Sequence, residues 1–119
     1  MTKTLEVVKA YYRAWTTKNF AAAGEHLAPT LVVEVPVNDY PTVASFLQAL
    51  SGFGSMTKRI ELLAEFANDA EAMLLYDMDV EGLGTIRIAE HFTVEDGKIS
   101  RLRQIHDTHA IRAAGFVKT

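Results

Sequence analysis

Apolar residues in the first part of the chain recur at helical spacing and form one stripe. The stripe is made of Leu5, Val8, Tyr12 and Trp15. Their spacing of i, i+3, i+7 and i+10 predicts a helix over about residues 4–18. Asn19 is a favourable N-cap for a second, shorter helix that runs to about Leu27 and is closed by Pro29.

The next segments predict one strand and a third helix. Residues 31–35 are rich in valine and too short for a helix, so they read as a strand that ends at Pro36. Pro41 suits the first position of a helix, and Gly52 suits its end. The apolar stripe of this helix is Val43, Phe46, Leu47 and Leu50.

From Thr57 onward the apolar period changes from 3.6 to 2, which indicates strands. Turn residues divide this half into four strands that begin near residues 57, 72, 85 and 98. Helices followed by a run of antiparallel strands predict an α+β fold. In that fold the helices pack on one face of a curved sheet.

Composition limits the class of protein. The chain has 119 residues, 49% of them hydrophobic, and a net charge of −3, which predicts a single globular domain over residues 1–119. A mildly acidic chain without a basic stripe disfavours nucleic-acid binding. Zero cysteines exclude disulfides and thiol chemistry, and no apolar run is long enough for a membrane span. No signal peptide is visible at the N-terminus, so we expect a cytoplasmic protein.

The order of elements resembles the SnoaL-like polyketide cyclases, within the wider superfamily similar to nuclear transport factor 2. The passages that carry the resemblance are residues 8–15 (VKAYYRAW), 19–22 (NFAA), 33–36 (VEVP), 89–99 (AEHFTVEDGKI) and the pair His106-Asp107. The resemblance implies a cystatin-like cone, in which a bent mixed sheet wraps around the helices and leaves a central pocket. It also implies a hydrophobic small-molecule ligand and no cofactor. This fold hosts isomerases, cyclases, hydrolases and non-catalytic binders.

The turn at Asp96-Gly97 allows two strand registers. A two-residue turn pairs Glu90 with Arg103. A three-residue turn with a bulge at Gly97 pairs Glu90 with Leu102, and we favour it because the family commonly uses it. The favoured register predicts one face made of Ile86, Ile88, Glu90, Phe92, Leu102, Gln104 and His106.

Two carboxylates, Asp77 and Asp79, share one face of the preceding strand. If both are buried, repulsion and desolvation raise at least one pKa, which suits acid–base chemistry. Alternatively, both face solvent and the Tyr76 face is buried.

Two relatives in this fold sharpen the comparison. Aligned by strand with limonene epoxide hydrolase, Asp79 takes the place of that enzyme's first Asp. Asp77 stands where its Arg would be, and Gln104 where its second Asp would be. In ketosteroid isomerase an Asp precedes the proline of the first strand, and here that position is Val35, with Glu34 on the opposite face.

The catalytic candidates are Asp79, His106, Glu90, Gln104 and Asp77. Asp79 would act as acid or base, His106 and Gln104 would orient the substrate or a water, and Glu90 or Asp77 would tune them. His106 has an unperturbed pKa of about 6.5, but it could equally cap the strand end. A buried Glu90 must be protonated, partnered or at the pocket wall, and the alternative is a pair with Arg103.

Nine further residues are predicted to contact the ligand. They are Tyr12, Trp15, Glu34, Tyr40, Phe46, Met56, Ile88, Phe92 and Leu102. The aromatic residues of helix 1 could instead be plain core. The glycine-rich segment 52–56 could be a lid or a connecting loop.

No metal site is expected, because no cluster of carboxylates and histidines has regular spacing. The other sheet face mixes apolar groups with Arg87, Arg101 and Arg103, a composition that predicts a homodimer through this face. Two classes of function stay open. The first is a cofactor-independent acid–base enzyme acting on a hydrophobic molecule, and the second is a non-catalytic binding or dimerisation module.

Overall fold

The computed structural model describes residues 3–115 and has an α+β fold. The helices are α1 (Lys3–Thr16), α2 (Phe20–Gly24), α3 (Val43–Met56) and α4 (His109–Ala113). The strands are β1 (Leu27–Glu34), β2 (Thr57–Ala67), β3 (Glu71–Val80), β4 (Gly84–Glu95) and β5 (Lys98–Ile105). The predicted fold class and order of elements are therefore confirmed, and α4 is an element that the sequence pattern did not predict.

The first two helices end earlier than predicted. Lys18 adopts a left-handed conformation (φ 65°) just after α1 and its backbone N–H donates to the Trp15 carbonyl, which stops the helix. Asn19 is the N-cap of α2 as predicted, since its side chain accepts from the Ala22 backbone N–H. Pro29 lies inside β1 rather than closing α2. The reason is that β1 is an edge strand with an irregular register between Leu27 and Val32, where a proline is tolerated.

The third helix begins after a capping box and continues through both of its glycines. The Thr42 and Ser45 side chains each accept a hydrogen bond from the other's backbone N–H. Gly52 does not end the helix, which runs on to Met56. Segment 52–56 is therefore the last part of α3, and the predictions of a lid or a loop there are wrong.

The five strands form one mixed sheet in the order β1-β5-β4-β3-β2. β1 pairs with β5 in parallel, while β2–β3, β3–β4 and β4–β5 are antiparallel. Register shifts in β2 and between β4 and β5 mark bulges, which bend strands. The helices cover the inner face of this open sheet, and the core lies between the helices and the sheet.

The β4–β5 hairpin has the two-residue turn of the first alternative but departs from both registers beyond it. Asp96 and Gly97, both with positive φ, form a two-residue turn, and Val94 faces Ile99. Ser100 is then an extra residue in β5, so that Glu90 faces Gln104 rather than Leu102 or Arg103. The favoured register is wrong by two residues. Because two is an even number, its assignment of side chains to faces still holds.

No helix among the described residues has the length and apolar character needed to cross a membrane.

Candidate functional site

A cavity of about 100 Å³ lies between α1, α3 and the inner face of the sheet. Its wall is almost entirely apolar and aromatic. The lining residues are Tyr11, Trp15, Val35, Pro36, Val37, Asn38, Tyr40, Phe46, Ala49, Leu50, Phe53, Gly54, Tyr76, Met78, Ile86, Ile88, Glu90, Gln104, His106 and Ile111.

Among residues 3–115, Glu90 is the one carboxylate in this wall, and only 1% of it is exposed. It points inward because β4 alternates, with Ile86, Ile88 and Phe92 buried on the same face. The Tyr76 hydroxyl donates to Glu90 Oε1 over 3.0 Å. The Gln104 Nε2 amide donates to Glu90 Oε2 over 2.7 Å. One neighbouring strand on each side therefore fixes one oxygen of the carboxyl group.

Burial raises the pKa of Glu90 from 4.5 to about 7, and the hydrogen bonds from Gln104 and Tyr76 oppose part of that rise. Both the acid and the carboxylate are thus populated near neutral pH. A group with this pKa can give or take a proton under ordinary conditions.

Two hydrogen-bond donors in the wall have no protein partner. The Tyr11 hydroxyl and the Trp15 indole Nε1 are buried, and neither has a hydrogen bond within the described part of the chain. Burial, and then the charge of Glu90, raise the pKa of Tyr11 well above its ordinary value, so its hydroxyl stays protonated. A ligand with an acceptor atom could satisfy these two donors.

His106 lies at the edge of the cavity and is half-buried. Its Nδ1 is 2.9 Å from the Asp107 backbone carbonyl oxygen. Because a carbonyl oxygen only accepts, Nδ1 carries the hydrogen, and the Nε2 of the neutral ring is an acceptor.

The structure brings together seven of the residues predicted for the site. They are Glu90, Gln104, His106, Trp15, Tyr40, Phe46 and Ile88. Phe92 and Leu102 are on the predicted face but lie in the closed core, at 0% exposure, and do not line the cavity. Met56 is half-buried in the last turn of α3, outside the cavity lining. Tyr12 lines a neighbouring cleft instead.

Glu34 is also outside the cavity. It projects from the outer face of the sheet, where its Oε2 lies 2.8 Å from Arg103 Nε and 3.6 Å from Arg101 Nη1. Val35, the next residue, does line the cavity.

Asp77 and Asp79 are on the outer face as well, so the prediction that they share the pocket is wrong. In β3 it is the Tyr76 face that is buried, which was the alternative interpretation. Asp77 forms a bidentate pair with Arg87 at 2.7 and 2.9 Å, and that pair lowers the pKa of Asp77. Asp79 accepts a hydrogen bond from the Thr85 hydroxyl. Neither carboxylate can contact a ligand in the cavity.

Sequence reasoning missed Tyr76 and Tyr11 as site residues. Tyr76 belongs to the apolar alternation of β3, and that alternation turns its side chain inward. Tyr11 follows Val8 by three residues and precedes Trp15 by four, so the helical stripe could have included it.

Within residues 3–115, no group of three or more His, Asp and Glu side chains is close enough together to hold a metal ion.

The chain is a small α+β protein whose sheet and helices enclose an apolar cavity with a buried carboxylate. These features define its structural class. The model of the SnoaL-like domain matches residues 8–102, most of the chain, and the protein belongs to that family. The resemblance inferred from the sequence is therefore confirmed. No curated protein matches the chain.

Solved structures agree with this assignment. A protein from Kribbella flavida DSM 17836 is 31% identical, with a TM-score of 0.89, over 96% of this chain and 94% of that one. A putative polyketide cyclase from Sinorhizobium meliloti is 22% identical, with a TM-score of 0.74, over 84% and 94%. A steroid delta-isomerase from Pseudomonas aeruginosa is 12% identical, with a TM-score of 0.80, over 98% and 88%. The last two likenesses show the shared fold.

Proposed function

We propose that this protein binds a small apolar molecule in its cavity and that Glu90 transfers a proton to or from it without a cofactor. The observation that carries the proposal is the buried carboxyl group of Glu90, whose pKa is about 7, in an otherwise apolar wall. A carboxylate in such surroundings is a stronger base than one in water, because water does not solvate its charge.

The neighbouring donors define what the substrate would need. Removal of a proton from carbon leaves a negative charge. The step is easiest when the carbon is next to a carbonyl group, because the oxygen then takes up that charge. The Tyr11 hydroxyl and the Trp15 Nε1–H are buried donors without partners at the same wall, and they would stabilise that oxygen. Tyr76 and Gln104 are positioning residues, since they hold the two oxygens of Glu90.

The size of the cavity limits the ligand. An engineered cavity of about 150 Å³ in another protein binds benzene, whereas this cavity measures about 100 Å³. We expect the cavity to enclose the reacting end of a small molecule, with the rest of the molecule at the opening near Asn38 and His106.

The test is exchange of the hydrogens next to the carbonyl group of small cyclic ketones with deuterium from the solvent. We expect exchange with the wild-type protein to increase with pH around a midpoint near 7. Glu90→Gln should slow it by at least about 100-fold. Asp79→Asn is the matched control, since its carboxylate lies on the outer face, and it should exchange at the wild-type rate.

The same ketones, titrated by NMR, separate the proposal from the non-catalytic alternative. If the ketones bind but show no Glu90-dependent exchange, the protein is a ligand-binding module. The hydrogen bonds to both oxygens of Glu90 support this alternative. If the ketones neither bind nor exchange their hydrogens, both functions are contradicted.

A further inference from the structure

A second cleft lies beside the cavity, between the C-terminal end of α1 and the first half of β2. Its volume is about 480 Å³. The lining residues are Tyr12, Trp15, Thr16, Lys18, Gly54, Thr57, Lys58, Arg59, Ile60 and Leu62. Trp15 and Gly54 line both spaces, so these two residues separate the cavity from the cleft.

The floor of this cleft is apolar and aromatic. Tyr12 and Trp15 are 8% and 3% exposed, and their ring centroids lie 5.9 Å apart with the planes at 88°. Ile60 and Leu62 are half-buried beside them. Such a floor favours contact with the hydrocarbon or ring portion of a ligand.

The rim of the cleft is positively charged. Lys18 and Lys58 are exposed, and none of the lining residues that the structure describes is acidic. Arg59 also borders the cleft, but it pairs in register with Asp79, so its side chain lies on the outer face of the sheet. Lys18 and Lys58 form no ion pair with any residue of the described range 3–115, whereas Arg59 has Glu61 at 4.0 Å. The two lysines make the cleft locally positive, although the net charge of the chain is −3.

Two lysines without acidic partners above an aromatic floor match one kind of ligand. We propose that this cleft binds an anionic group, a carboxylate or a phosphate, that is attached to an apolar or aromatic body. The ammonium groups of Lys18 and Lys58 would hold the anion. The body of the ligand would lie on Tyr12 and Trp15. This site does not depend on proton transfer by Glu90, and it can be occupied whether or not the cavity is catalytic.

Trp15 is the single tryptophan of the chain and lines both the cleft and the cavity, so its fluorescence reports binding, and the lysine variants below show which space is occupied. Phenyl phosphate and phenylacetate are the anionic probes, and benzyl alcohol is the neutral one. We expect both anions to bind more tightly than benzyl alcohol, and added salt to weaken only the anions. The tighter of the two anions identifies the preferred charged group.

The double variant K18Q/K58Q should weaken phenyl phosphate binding by at least about tenfold. Lys58→Glu changes the charge of the cleft by the same two units and should weaken binding to a similar extent, because it replaces attraction by repulsion at one position. Lys3→Gln is the matched control, since Lys3 is an exposed lysine at the opposite end of α1, and it should bind as the wild type does. Glu90→Gln should also leave the affinity unchanged, which separates this site from the cavity. Circular dichroism checks that each variant is folded.

Three results would overturn the proposal. The first is an unchanged affinity in K18Q/K58Q, and the second is the absence of any fluorescence response to either anion. The third is inorganic phosphate binding as tightly as phenyl phosphate, because the aromatic floor would then contribute nothing.

Discussion

At the scale of single residues, the burial of Glu90 links the stability of the fold to pH. Its pKa is 4.5 in water and about 7 in the folded protein. Between these values the folded protein keeps a proton that the unfolded chain has released. The contribution of Glu90 to the free energy of unfolding is therefore highest below pH 4.5 and falls by roughly 3 kcal/mol as the pH rises to about 7.

Glu90→Gln resembles the protonated acid at every pH and lacks this dependence. The free energy of unfolding of Glu90→Gln minus that of the wild type should therefore increase by about 3 kcal/mol as the pH rises from 4.5 to about 7. Urea denaturation across that range measures the difference. Glu71→Gln is the control, because the hydrogen bond from His91 lowers the pKa of Glu71 and its contribution must have the opposite sign. A constant difference between Glu90→Gln and the wild type would show that Glu90 titrates as it does in water.

The sequence was sufficient to identify Glu90 but not its surroundings. A carboxylate that interrupts the alternation of Ile86, Ile88 and Phe92 has to be explained by a partner or a pocket. The partners come from other strands, so Tyr76 and Gln104 depend on the pairing of three strands. Asp79 was misplaced because alternation gives two faces and does not say which one is covered by helices.

At the scale of elements, the two glycines late in α3 should respond in opposite directions to a methyl group. A Cβ at Gly52 would meet nothing within 4 Å, whereas one at Gly54 would lie 2.5 Å from Phe20 Cζ. Gly52→Ala should stabilise the protein by about 0.5–1 kcal/mol, since alanine favours the helix. Gly54→Ala should destabilise it by about 1 kcal/mol, because the crowding of Phe20 outweighs the same helical gain.

Thermal or urea denaturation of the two variants measures this contrast, and each serves as the control for the other. Equal stabilisation of both would mean that the ring of Phe20 moves aside at no cost.

The same scale shows where sequence patterns stop being informative. Periodicity located α1, α3 and the last four strands, because it reflects which side of each element is buried. A capping residue indicated α2, and β-branched residues indicated β1. The ends were less predictable. Pro29 and Gly52 are helix breakers by propensity, yet an irregular edge strand accommodates the first and a continuing helix the second. The β4–β5 register was wrong by two residues because the bulge at Ser100 depends on contacts between strands.

At the scale of the whole molecule, the outer face of the sheet carries exposed apolar residues between ion pairs. Phe66 on β2 and Ile105 on β5 are each 72% exposed. Ile105 lies two residues after Arg103, which forms an ion pair with Glu34 on the same face. Apolar contacts surrounded by arginines are typical of interfaces, so the homodimer stays a prediction.

Ile105→Glu tests this prediction, because Ile105 is too exposed to matter much for the stability of a monomer. Light scattering coupled to size-exclusion chromatography should show a dimer for the wild type and a monomer for Ile105→Glu. Ala21→Glu introduces the same charge on an exposed position of α2 and should remain dimeric. A monomeric wild type, or a dimeric Ile105→Glu, would contradict the predicted interface.

The parallel pairing of β1 with β5 also has a consequence for biosynthesis. Leu27 pairs with Ile99 and Glu34 with Arg103, so partners are separated by roughly seventy residues of chain. A ribosome releases β1 long before β5, and Gln104 belongs to β5. Until β5 is released, β1 has no neighbour in the sheet, and Glu90 lacks one of the two groups that hold it. The nascent chain therefore completes the surroundings of Glu90 only after β5 has been made.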